Sequence, residues 1–369
     1  MSGSIVMRIG RPPGKRDRVV AHMRQLIVSG KLKPGARMPT HEALKRRCAA
    51  ESPTIRAAMR ILGDDGFIET LPRRGTYVAA HPPHLAQIAF VFPFSPDHAP
   101  AQFYAAIRAE ALRRRNPARR VLPFYDIESH TDVEDYQRLL RYVQSHCLAG
   151  LIFASNPFGL RQIGSPLTQT PGVSRVIIEA NPDERGVPVV CPESSSFLPK
   201  AFDHLAARGC KRVAVVQFPD AGARDAVIRI PALAAERGLT VKPQWIQAAA
   251  PDTGGWIRQL GCLLVQGQPG ERPDAMVITD DNLVPELTAG LASTGLRIPD
   301  ELAVVAHTNF PHPTPSAVPV TRLGYDVCAL VATCIERIDQ QQRGEKPPAM
   351  TLLPTVFEWE VSEKKERLS

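Results

Sequence analysis

The stretch from Pro34 to Val78 constrains this chain more than any other, and its centre is Ser52-Pro53-Thr54-Ile55-Arg56-Ala57-Ala58-Met59. Serine followed by proline is a strong helix start. The hydroxyl accepts from orphan amides of the first turn, and proline at the first helical position gives up an amide that had no partner. Ile55, Met59 and Leu62 then recur at helical spacing and are predicted to face a core, with Thr54, Arg56 and Arg60 pointing elsewhere. Upstream, Pro39-Thr40-His41-Glu42-Ala43-Leu44 opens another short helix with Lys45, Arg46 and Arg47 in its last turns. Downstream, Gly66-Phe67-Ile68-Glu69-Thr70 and Thr76-Tyr77-Val78 read as two short strands joined by the basic tip Leu71-Pro72-Arg73-Arg74-Gly75. Helix, turn, helix and basic hairpin make a winged helix-turn-helix, an α+β head.

The distribution of charge assigns that head a partner. The 369 residues carry a formal net charge of +8. Residues 1–80 hold sixteen Lys and Arg against six Asp and Glu, a surplus of ten, and the remainder is slightly acidic, with 29 against 31. Positive charge concentrated on one small module is the footprint of a polyanion binder. Lys and Arg supply salt-dependent affinity for DNA phosphates, and residues entering the major groove supply sequence readout. The candidates to reach DNA are Ser52, Thr54 and Arg56 at the start of the second helix. Lys45 and Arg46 are candidates for flanking phosphates, and Arg73, Arg74 and Gly75 for a minor-groove wing.

Before the head, residues 1–14 read as a flexible arm. A first helix is expected from about Lys15 to Ser29, with Val19, Met23, Leu26 and Ile27 as its apolar stripe and Gly30 as its stop. After the head, His81-Pro82-Pro83-His84 reads as an extended, solvated linker over 81–86, because two prolines disfavour a helix.

From residue 87 to about 362 the pattern becomes alternating strands and helices. Apolar runs such as Ile88–Phe92 and Leu151–Ala154 suit buried parallel strands, with helices between them. Two such blocks, the second starting near Ser194, predict two doubly wound α/β subdomains. A charged tail, 363–369, follows. The seven cysteines are scattered, with no CxxC or Cys/His spacing for a metal, and read as reduced thiols. No apolar run approaches the length of a membrane span, and no secretory leader is evident, so the expected location is cytoplasmic. Nothing suggests a cofactor. An enzyme is disfavoured because no nucleophile elbow, phosphate loop or metal-binding set is found.

The head residues resemble the GntR family of bacterial transcription regulators. The resemblance rests on Lys33-Pro34-Gly35-Ala36-Arg37-Met38-Pro39, Thr54-Ile55-Arg56, Gly66-Phe67-Ile68 and Gly75-Thr76-Tyr77-Val78, taken in order. The larger part resembles LacI/GalR-type regulators through Leu205–Val216, Arg272–Val277, Gly295–Val305 and Leu148–Ile152. That resemblance implies a periplasmic-binding-protein-like body of two lobes, crossed by several hinge strands and closing on a small ligand.

In such sheets ligands sit beyond the carboxyl ends of the strands. That points to Phe94, Ser95, Asp126, Ser155, Gln217, Asp280, Asp281 and His307-Thr308-Asn309. The resemblance places Asp280 at a ligand-contacting position and Arg224 near the cleft arginine; helix capping is the alternative role for Asp280 and Ser155. Some positions depart from both families. In the GntR family, arginine is often found at the position of Glu42 and commonly just before the proline or threonine, where this chain has Ser52, which implies an altered operator. Pro192 and the strand leading to Asn309 lack common aspartates, which implies an effector other than an ordinary sugar, or weakened effector control. The expected protein is a homodimeric, ligand-responsive repressor of carbohydrate-related genes. Its expected partners are a near-palindromic DNA operator and a small-molecule effector. The alternative is a constitutive regulator whose body only dimerises.

Overall fold

The structure is a computed structural model describing residues 14–95, 102–116, 118–127, 134–155, 166–179, 186–219, 225–251 and 254–366. The head comprises α1 (Lys15–Val28), α2 (His41–Cys48), α3 (Ser52–Asp64) and the antiparallel hairpin β1 (Ile68–Leu71) and β2 (Gly75–Val78). Val19, Met23 and Ile27 of α1 pack on Leu44, Ile55, Ala58 and Leu62, close to the periodicity read from the sequence. Met59 is only partly buried, because Ala58 takes the central position on α3. The cap of α3 is Glu51 and not Ser52, with the Glu51 carbonyl accepting from the Ile55 amide at 3.0 Å. Ser52 is therefore the first helical residue.

The segment expected to be a solvated spacer is a packed helical turn, α4 (Pro83–Ala86). Pro83 and His84 are buried, and the His84 ring stacks on Phe67 at 5.9 Å. Two prolines at the start of a helix lose only amides that have no intrahelical acceptor, so they begin this turn and do not forbid it.

The first lobe is built from β3 (Gln87–Val91), α5 (Gln102–Arg113), β4 (Arg120–Phe124), α6 (Glu134–Gln144), β5 (Gly150–Phe153), α7 (Pro166–Gln169), β6 (Ser174–Ile178) and β7 (Val189–Glu193). The chain then enters the second lobe through α8 (Phe197–Ala207), β8 (Val213–Gln217), α9 (Ala226–Ala235), β9 (Ile246–Ala248), α10 (Gly254–Leu264), β10 (Ala275–Ile278), α11 (Val284–Ala292), β11 (Ala303–Phe310) and β12 (Thr321–Asp326). It returns with α12 (Val327–Gln342) and β13 (Met350–Pro354), and crosses again to β14 (Val356–Phe357) and α13 (Glu358–Glu366).

The first-lobe sheet has the order β13-β7-β6-β5-β3-β4 and is wholly parallel. The second has the order β14-β12-β11-β10-β8-β9, with only β14 antiparallel. Each sheet buries both faces under helices, as parallel sheets require. Three described segments join the lobes: β7 to α8, β12 to α12, and β13 to β14. The first and third are tied together, since Ser196 Oγ lies 2.8 Å from Thr355 Oγ1 while also donating to the Glu193 carbonyl. The start of the expected charged tail is helical, since α13 runs to Glu366 and packs on β12 and β14.

Candidate DNA interface and ligand cleft

The exposed edge of the head collects its free cations. Arg46 and Arg47 end α2, while Arg56 and Arg60 occupy the outer face of α3; all four are exposed and make no ion pair among the described residues. Ile55, beside Arg56, is fully buried, which fixes the phase of α3 and turns Arg56 outward. Ser52 and Thr54 are half-buried at the start of the same helix. Lys45 is less available, with its ammonium 3.5 Å from Glu42.

The wing tip is held in shape by its backbone. Arg73 sits at φ 61°, and the Arg74 carbonyl accepts from the Tyr77 hydroxyl at 3.0 Å. Gly75, at φ 109°, could not carry a side chain without strain. The segment before α2 runs alongside the hairpin: the Met38 amide donates to the Thr76 carbonyl and the Val78 amide to that of Ala36. This pairing carries Arg37 onto the wing, where its guanidinium lies about 3.4 Å from the space a Gly75 side chain would need. Arg37 is exposed and belongs with Arg73 and Arg74 in one basic ridge. Sequence reading missed it because the strand-like contact of residues 35–38 has no periodic signal.

Between the lobes lies a cleft of about 390 Å³. The first lobe contributes Phe103 and Tyr104 of α5, Ser155 after β5, Glu179 after β6, and Cys191 and Pro192 of β7. The second contributes Thr279, Asp280, Asp281 and Asn282 after β10, His307 of β11 and Tyr325 of β12. A larger cavity of about 590 Å³ adjoins it on the second lobe, lined by Phe197, Gln217, Phe218 and Arg229 among others, and shares Ser194, Thr279, Asp280 and Tyr325 with the cleft. The lobes touch across the cleft, where the Gln102 amide donates to Asn282 Oδ1 at 3.1 Å and Phe103 meets Tyr325 edge-on at 6.2 Å.

The structure brings Ser155 and Asp280 to this cleft, as expected for residues at carboxyl ends of strands. Asp280 Oδ1 also accepts from the backbone amide and the Nδ2 of Asn282, at 2.9 and 2.8 Å, so it braces the turn as well. Phe94 stands outside the lining, 49% exposed and edge-on to Tyr104. Ser95 is likewise outside it, donating its amide to Asp126 Oδ1 at 2.7 Å. Arg224 lies outside the described residues.

Asn309 does not reach the cleft. The sequence reading put His307-Thr308-Asn309 beyond a strand end, but β11 runs on to Phe310, paired with β12, and this pairing buries Asn309 opposite Tyr325. Its Nδ2 donates to Asp281 Oδ2 at 2.6 Å, so it orients an acid of the wall and does not itself line the cavity. Phe103, Tyr104, Glu179, Asn282, Tyr325 and Arg229 were not anticipated. The two aromatics of α5 lie on a helix, where a strand-end rule has nothing to find.

Comparison with known proteins places both halves. Residues 15–78 match the family described as bacterial regulatory proteins, gntR family, and residues 202–359 match the periplasmic-binding-protein-like domain. The chain thus joins a head similar to gntR-family regulatory proteins to a body similar to the periplasmic-binding-protein-like domain. A curated relative, the arabinose metabolism transcriptional repressor of Geobacillus stearothermophilus, is 23% identical over 343 residues, covering 86% of this chain and 90% of its own. The repressor YtrA of Bacillus subtilis (strain 168) is 33% identical over 63 residues, 17% of this chain and 48% of its own. Among solved structures, a LacI family transcriptional regulator from Lactobacillus casei with bound sucrose superposes with a TM-score of 0.54 at 18% identity, covering 74% of this chain and 98% of that one. At that identity the likeness is one of fold. The exposed cations of the head and the cleft thus lie on separate, recognisable folds.

Proposed function

We propose that this regulator is a repressor that binds a near-palindromic operator as a homodimer and responds to a small polar effector held between the lobes, in the service of carbohydrate-related genes. The observation that carries the reading is the cleft itself. Polar and aromatic groups from both lobes converge on one cavity at the place where three chain segments cross, behind a head whose cations face outward. The arabinose repressor of Geobacillus stearothermophilus, similar over most of the chain, supports it.

In this reading Arg56 and the start of α3 read base edges, Arg46 and Arg47 hold flanking phosphates, and Arg37, Arg73 and Arg74 bring the wing to the backbone or minor groove. Two heads related by a two-fold axis would meet half-sites about one helical turn, ~34 Å, apart. Effector binding acts on DNA affinity only through its differential affinity for two arrangements of the protein.

The test uses the full-length protein and the DNA upstream of its own gene. A true effector raises stability by about 2.7 kcal/mol at a hundredfold excess over its dissociation constant, and changes operator affinity at the same concentrations. If ligands that raise the melting temperature leave operator binding untouched, the body serves dimerisation and the reading is wrong.

A further inference from the structure

The cleft has a charge character that the fold does not dictate. Its described lining holds three carboxylates, Glu179, Asp280 and Asp281, and neither lysine nor arginine; Arg229 lines the adjoining cavity instead. The hydrogen-bond donors described for the two aspartates are neutral amides, from Asn282 and Asn309. Amides hold a carboxylate in place without cancelling its charge. Burial, followed by the negative charge of neighbours that include Asp280 and Asp281, holds the Tyr325 hydroxyl proton well above the usual tyrosine range.

Around these acids stands a set of rings. Phe103 lies 5.7 Å from Tyr104 and 6.2 Å from Tyr325, and His307 lies 4.8 Å from Tyr325. His307 is more than nine-tenths buried, and its Nδ1, 3.8 Å from Asp281 Oδ1, has no hydrogen-bond partner among the described residues. An unmet polar group in the wall of a cavity points to a ligand or water that completes it. Negative potential and aromatic faces both attract a cation, and the attraction grows as water leaves the site. A sugar acid or sugar phosphate would meet repulsion from the same groups. Ser194, Thr279 and Asn282 supply neutral partners for hydroxyls on the same ligand.

We propose that the effector is a small hydroxylated amine, bound as its ammonium ion beside Asp280 and against the Tyr104 and Tyr325 rings, with Asp281 as the charge behind it. The inference rests on the cleft being the effector site. It is tested on the full-length protein by calorimetry and thermal shift with sets matched in shape and differing in charge: glucosamine, glucose and gluconate; galactosamine, galactose and galacturonate; and the amino alcohols ethanolamine, serinol and choline against their uncharged alcohols. The expected result is that one amine binds at least about tenfold more tightly than its neutral counterpart, the difference of one charge-assisted contact, while its anionic counterpart binds more weakly still. Asp280→Asn, nearly isosteric, should bring amine and neutral ligand to within about twofold without lowering the melting temperature of the free protein. If a neutral or anionic member binds as tightly as its amine, or if Asp280→Asn keeps the discrimination, the charge inference is overturned while the sensor reading stands. If no member of any set binds, both fall together.

Discussion

Acidifying the protein should weaken the joint between head and body, and the cause can be traced to one ring. His84 is buried, stacks on Phe67, and has an Nδ1 without a hydrogen-bond partner among the described residues. Burial, and secondarily the charge of His146, lowers its pKa from 6.5 to about 4. The folded state therefore holds His84 neutral in a range where the unfolded chain would already have protonated it. Stability from this group is complete above about pH 6.5 and is lost as the pH falls toward 4. Linkage between those two pKa values gives a loss of about 2 kcal/mol between pH 7 and pH 5. His204, also lowered by burial, adds a loss of the same sign, so the informative quantity is a difference between proteins. His84→Phe keeps the stack on Phe67 and removes the titration. Urea unfolding of both proteins at pH 7 and pH 5 should show the variant losing less stability, by about the 2 kcal/mol derived above. An NMR titration of the His84 ring in the native protein should have its midpoint near pH 4. If both proteins lose stability equally, or if the ring titrates near pH 6.5, the joint is not closed in the way described.

Two substitutions test the head and the body separately. Arg56→Ala should leave the unfolding free energy within about 0.5 kcal/mol of wild type, as for exposed residues generally, and cost about 1–3 kcal/mol of discrimination between operator and unrelated DNA in a binding assay; collapse of the fold with specificity retained would show the phase of α3 to be wrong. Gly290→Ala should lower stability by about 1–3 kcal/mol or more in thermal unfolding, because a Cβ there would lie 2.0 Å from the Arg258 carbonyl oxygen and would force α10 away from α11; an unchanged melting temperature would refute that close approach.

What the sequence made legible follows from where a single pattern suffices. The head was readable because Val19, Met23 and Ile27, and then Ile55 and Leu62, bury one helical face each. Most strands of the two lobes were readable as continuous apolar runs buried on both faces. The strands that escaped notice are those that carry the chain between lobes. Val189-Val190-Cys191-Pro192-Glu193 contains a proline, and Thr321-Arg322-Leu323-Gly324-Tyr325-Asp326 carries a glycine and two charges and is neither a continuous apolar run nor a clean alternation. Their partners come from remote parts of the chain, so no local pattern announces them. The same holds for the site. Ser155 and Asp280 were visible as strand ends, whereas Tyr325 sits in an unrecognised hinge strand and Tyr104 on a helix. Asn309 was misplaced because it was read as lying beyond a strand that in fact runs to Phe310.

The packing of the head bears on how an effector could act at all. The head core takes in Cys147 and Tyr142 of the first lobe, and burial raises the Cys147 thiol to about 12. With α4 stacked beneath the wing through His84 and Phe67, head and first lobe make one packed unit. The second lobe contributes no residue to that core among those described. A closure of the cleft would therefore move the second lobe against a head packed on the first. In a single chain, such a motion would leave the exposed face of α3 and the wing unchanged. It reaches DNA only where the second lobe bears on something that sets the spacing of two heads, which is the contact between two copies of the chain. On this argument effector response and dimerisation are one requirement. A monomeric variant that still binds the ligand should bind a single half-site with an affinity indifferent to it.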